Sequence, residues 1–99
     1  MTKYLDAENK LLDSVRRLAV GKGPIRERIV SAWVAIAMLG KAGVDVPNSV
    51  EGEADKLRRA WGSAEPPRIE RYAAGLSEDE CVQAAEDILR WLNLVRESR

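Results

Sequence analysis

The chain has 99 residues, the size of one domain (1–99), and its 45% hydrophobic content is too high for a disordered segment. Sixteen basic residues balance sixteen acidic ones, so net charge supplies no general attraction to nucleic acid or to an anionic membrane. Histidine is absent and Cys81 is the sole cysteine, which excludes an intramolecular disulfide and any catalytic arrangement built on histidine within one chain.

The opening stretch MTKYLDAENK is too charged for a targeting core, and no apolar run reaches the roughly 20 residues of a membrane span. A cytoplasmic location is therefore the expectation. Tyr4, Leu5, Leu11, Leu12, Val15, Leu18 and Ala19 recur at spacings of three and four, which predicts a first helix from about Thr2 to Val20. Thr2 is its expected N-cap, and Gly21 and Gly23 are expected to stop it in the left-handed conformation. Pro24 suits a first helical position, so a second helix is expected from Pro24 to about Lys41. Its first turn, Arg26-Glu27-Arg28, is expected to emerge into solvent. The stretch Ile29–Leu39 that follows is apolar except for Ser31, and a helix apolar on nearly every face must be surrounded by the rest of the chain.

Gly40 and Gly43 are expected to end that helix, and Val44 to Pro47 reads as an extended connector with its valines tucked inward. Val50, Ala54, Leu57 and Trp61 predict a third helix over about 49–61, with Asn48 or Ser49 capping it and Glu51 completing a capping box. Residues 62–67, with a glycine and two prolines, are expected to form a loop. Arg68 to Ala74 predicts a short helix with Ile69, Tyr72 and Ala73 inward and Gly75 as its stop. Ser77 and Glu80 form a second capping-box pattern, and Cys81, Ala84, Ala85, Ile88, Leu89, Trp91, Leu92 and Val95 carry an apolar face to about Glu97. The expected fold is all-α: a four-helix bundle with one additional short helix, the second helix central and buried.

Little in the chain suggests catalysis. Cys81 follows three acidic residues that oppose a thiolate, and it sits where an apolar contact with Leu76 belongs. The carboxylate pairs Glu51/Asp55 and Glu86/Asp87 lie on faces that read as solvated, beside Lys56 or Arg90 at ion-pairing distance. No glycine-rich loop follows a strand. The chain is expected to be non-enzymatic, with no metal and no cofactor.

Charge is unevenly placed. Residues 1–50 have eight Lys/Arg against five Asp/Glu, and residues 51–99 have eight against eleven. Arg16, Arg17, Lys22, Arg26 and Arg28 cluster at the first inter-helix turn, while Glu78, Asp79, Glu86 and Asp87 lie on the last helix. Two such patches, on Arg16, Arg17, Arg26 and Arg28 and on Glu78, Asp79, Glu86 and Asp87, are the expected partner-binding surfaces, for a protein partner or for a second copy. The alternative is a nucleic-acid-binding accessory role for the arginine turn, helped by Arg58, Arg59, Arg68 and Arg71. A helix-turn-helix reading of Gly40 to Val46 fails, since Pro47 falls in the presumed recognition helix and Glu51, Glu53 and Asp55 make that helix acidic. Trp33 reads as core. Trp61 and Trp91 fit either the core or an exposed interface anchor.

The order of Gly23-Pro24-Ile25-Arg26-Glu27-Arg28-Ile29, an apolar helix, Asp45-Val46-Pro47 and Leu76-Ser77-Glu78-Asp79-Glu80 resembles small helical proteins of bacterial, phage or mobile-element origin. Size and composition are also similar in type to phage anti-defence inhibitors such as anti-CRISPR proteins. That resemblance implies a small cytoplasmic inhibitor of a host defence or regulatory protein, and it implies no particular site residues.

Overall fold

The computed structural model describes residues 4–37, 39 and 45–98, and these form five α-helices with no strand among them. The helices are α1 (Leu5–Val20), α2 (Ile25–Ile36), α3 (Asn48–Trp61), α4 (Pro66–Ala74) and α5 (Glu78–Glu97). None is long and apolar enough to cross a membrane. Helix α2 packs against α1, α4 and α5; α5 packs against α1, α2 and α3; and α3 also rests on α4. The centre is therefore shared by α2 and α5.

Helix α1 faces the core with Ala7, Leu11 and Ser14, all fully buried, whereas Leu5 is 47% exposed and Ala19 is exposed. Tyr4, Leu12, Val15 and Leu18 of the expected stripe pack against the core at its edge, so the inward face is centred a little to one side of that stripe. Small side chains let two helices approach closely. Here Ser14 Oγ donates to the Ala32 carbonyl at 2.9 Å, and Ala32 is itself fully buried. Gly21 caps α1 with φ −63°, so it is not a left-handed stop. It is required by proximity: a Cβ there would collide with the Arg17 carbonyl oxygen and meet Arg28 Cγ at 2.9 Å. The left-handed residue of this turn is Gly23, at φ 94°. The expected Thr2 cap lies outside the described residues.

Pro24 stands at the N-cap of α2, one place before the helix. The helix ends at Ile36, earlier than Lys41, and the apolar run continues as a turn in which Leu39 N–H donates to the Ile36 carbonyl at 3.0 Å. Ala37 and Leu39 remain buried in that turn. Ile29, Ala32, Trp33 and Ile36 bury the core face, but Val34 is 37% exposed, so α2 is not enclosed all round. Gly40, Gly43 and Val44 lie outside the described residues.

Val46 and Pro47 are buried beneath the start of α3. No capping box forms there. Pro47 occupies the cap, and its carbonyl accepts from Val50 and Glu51 N–H, which leaves Asn48 and Ser49 as the first helical residues. Pro66 and Pro67 are likewise helical, opening α4 where no loop partner is needed for their absent N–H. At α5 the expected capping box is present: Ser77 Oγ accepts from Glu80 N–H at 3.1 Å, and Glu80 Oε1 accepts from Ser77 N–H at 2.9 Å.

The core is organised around Trp33, whose ring lies 5.6 Å from that of Trp61 and 5.8 Å from that of Tyr72. Such tilted aromatic pairs add to simple burial. Trp61 and Trp91 are both buried, which assigns them to the core; the indole N–H of each has no acceptor among the described residues.

Candidate functional site

The basic cluster at the first turn is largely engaged internally. Arg26 does not emerge into solvent. Its Nε donates to the Ala73 carbonyl at 3.0 Å and its Nη2 to the Leu76 carbonyl at 2.5 Å. Ala73 lies in the last turn of α4, where the helix dipole favours a cation, and Leu76 stands just before the α5 cap. Arg28 is half-buried and donates from Nη1 to the Leu18 carbonyl at 3.1 Å, in the last turn of α1. Arg17 donates to the Ser31 carbonyl at 3.1 Å and pairs with Asp13 at 3.3 Å. Arg16 alone among the four is exposed with no polar partner among the described residues. The second basic set is divided too: Arg58 bonds the Leu39 carbonyl and Asp55, Arg59 pairs with Asp55 at 2.9 Å, and Arg68 and Arg71 are exposed.

The acidic residues behave differently. Glu78, Asp79 and Glu86 are exposed on α5 and make no ion pair among the described residues. Asp87 is half-buried and accepts from Gln83 and Arg90, both at 3.1 Å. Beside them a groove of about 390 Å³ opens between α3, α4 and α5. Leu57, Tyr72, Leu76, Ala84 and Trp91 supply its apolar lining, while Glu53, Glu80 and Asp87 place carboxylates on it against a single lysine, Lys56. Ala60 on α3 and Ala84 on α5, two small side chains, also line it.

One cross-helix contact ties the groove together. Arg90 of α5 meets Glu53 of α3 with two bonds, 2.9 Å to Oε2 and 2.6 Å to Oε1, and also holds Asp87. Glu53, and secondly Asp87, hold the Arg90 guanidinium above its usual range, so it stays charged. The Glu80 carboxyl is held below its usual range, first by the Ser77 backbone N–H and second by the Ser77 hydroxyl, so it too stays charged near neutral pH.

Other candidate chemistry does not assemble. Cys81 is fully buried. Asp55 pairs with Arg58 and Arg59, so the Glu51/Asp55 spacing does not make a free carboxylate pair, and no group of three metal-ligating side chains occurs among the described residues. Glu53, Lys56, Leu57, Tyr72 and Gln83 carry no sequence signal as site residues, because the groove is lined from α3, α4 and α5, with Trp33 of α2 among its lining, and these helices are remote in the chain. No family model, curated protein or solved structure gives a significant match to the chain.

Proposed function

We propose that this is a non-enzymatic protein-interaction domain that docks a protein partner in the groove between α3, α4 and α5. In this reading α1, α2, α3 and α5 act as a four-helix bundle and α4 as the short additional helix, in a single cytoplasmic domain. The bundle's task is to hold three helices apart at a fixed spacing. The observation that carries the reading is the groove itself, about 390 Å³ with an apolar lining, adjoining the unpaired acids of α5. Apolar pockets ringed by polar groups are the usual form of a binding site, and a charged rim adds register and speed of encounter. An inhibitor of a host defence or regulatory protein would act in this way, by occupying a surface that its target uses.

The acidic residues Asp79, Glu86 and Asp87 are retained as contact residues, with Glu78 at their margin. Arg26 and Arg28 act as internal clasps. A nucleic-acid interface at the first turn keeps only Arg16 and Lys22 free of partners among the described residues, too few for the phosphate contacts that such binding uses. The test compares proteins retained by the immobilised chain with those retained by two variants. Ala60→Trp fills the groove from an exposed helical position, and Arg16→Glu reverses charge at the first turn. Loss of the same partners with Ala60→Trp, and their retention with Arg16→Glu, is the expected outcome. The opposite pattern places the contact at the arginine turn and ends the groove reading.

A further inference from the structure

Advancing 100° per residue, Asp79, Glu80, Gln83, Glu86 and Asp87 fall within one arc of about 120° on α5 and cover about 12 Å of its length. Glu78 lies outside that arc. Glu80, Gln83 and Asp87 line the groove, so the acidic strip and the apolar lining form one continuous surface. Asp79, Glu80 and Glu86 have no cationic partner among the described residues, whereas Glu53 and Asp87 are both held by Arg90, a side chain that is itself 49% exposed. The geometry points to a cationic, amphipathic segment of a partner protein as the occupant, with lysine or arginine along the α5 strip and a bulky apolar side chain in the groove; this rests on the groove being the docking surface.

Two observations select that occupant. Asp79 and Glu86 are not part of the groove lining and lie about 40–60° round α5 from Gln83, so a small amine seated among the groove residues leaves them unmatched, while a segment lying along α5 meets them all. A second copy of the chain is a poorer match: Arg17, Arg26 and Arg28 are bonded within their own molecule, which leaves the exposed pairs Arg16 with Lys22 at the first turn and Arg68 with Arg71 on α4, two cations at each place rather than a row along one segment. Arg90 then has a definite role. It occupies Glu53 and Asp87 in the empty groove as the incoming cation would, and it competes with that cation.

The experiment titrates the full chain by calorimetry with three synthetic helical peptides, each with a leucine face and a second face of lysine, glutamine or glutamate. The lysine peptide is expected to bind, more weakly as salt is added. The double variant Asp79→Asn with Glu86→Gln weakens it roughly two- to thirtyfold, from two exposed charge contacts. Arg90→Gln strengthens it, a sign that a merely structural role for Arg90 would not produce. Ala60→Trp abolishes it. Equal binding of the glutamine peptide, blocked by Ala60→Trp, overturns the cationic partner but leaves the docking groove standing. Binding of the lysine peptide that ignores Ala60→Trp overturns both. Absence of binding by the lysine peptide overturns the cationic partner. Self-association abolished by Ala60→Trp names a second copy as the occupant and overturns it as well.

Discussion

Replacing Arg26 by methionine removes the guanidinium and keeps most of the aliphatic stem, so the change isolates the two bonds to Ala73 and Leu76 from packing. Hydrogen bonds from a charged donor contribute about 1.5–3 kcal/mol each when well shielded. Arg26 is only half-buried, and screening reduces this to about 1 kcal/mol per bond, or about 2 kcal/mol together. For a domain near this size, 1 kcal/mol moves the melting temperature by about 4–8 °C, so Arg26→Met should melt about 8–16 °C lower. The loss should be local in origin, with amides at the end of α4 and before α5 exchanging faster than those of α1. Thermal unfolding followed by circular dichroism, with hydrogen exchange alongside, measures both. Arg16→Met, at an exposed position without polar partners, is the control and should change stability by less than about 0.5 kcal/mol. A shift below about 2 °C for Arg26→Met, or equal shifts for the two variants, would refute the assignment of Arg26 as a clasp.

Other consequences follow from buried and capping residues. Ser14→Ala should cost about 1 kcal/mol through loss of the bond to Ala32, and Ser14→Leu more than about 2 kcal/mol by forcing α1 off α2; chemical denaturation checks both. Ser77→Ala should cost about 1 kcal/mol and shorten α5 at its start, read by helicity and amide exchange. The depressed Glu80 pKa gives that cap a defined pH dependence. Its contribution is present above the ordinary carboxyl value of 4.5 and is lost as pH falls through the lower folded-state value. Glu80→Gln keeps an acceptor at the third helical position and should remove that acid-side dependence while leaving α5 helical at neutral pH. An unchanged acid profile in Glu80→Gln would show that other carboxyls control it.

The parts of the fold that were legible in the chain are those decided by near neighbours. Ser77 and Glu80 are three residues apart, so their capping box is a local matter and forms as read. The same pattern at Asn48-Ser49-Val50-Glu51 does not form, because Pro47 takes the cap with a conformation it holds intrinsically, φ −59°. Pro66 and Pro67 look like loop residues by composition but begin α4, since only later helical residues need the N–H that proline lacks. Periodicity found the helices and most of the α1 face, since Leu11 is buried and Tyr4, Leu12, Val15 and Leu18 pack on the core, but it missed Ala7 and Ser14, small residues that an apolar stripe weights little, and wrongly included Leu5 and Ala19. The arginines were the largest gap. Arg26 finds its acceptors 47 and 50 residues away, at a helix end whose position is set by tertiary packing. The groove was hidden for the same reason: its lining comes from residues spread between Trp33 and Trp91, and the Arg90–Glu53 pair joins residues 37 apart.

In the proposed function, partners meet the α3–α4–α5 groove and the acidic strip of α5, while the arginine turn holds the fold together. The most direct measurement is a map of amide and indole NMR shifts in the full chain during titration with the leucine–lysine peptide. Shifts are expected at Leu57, Ala60, Gln83, Ala84, Asp87 and the Trp91 indole, with residues 16–28 unmoved. Shifts concentrated at residues 16–28, with the Trp91 indole unchanged, would contradict the groove reading.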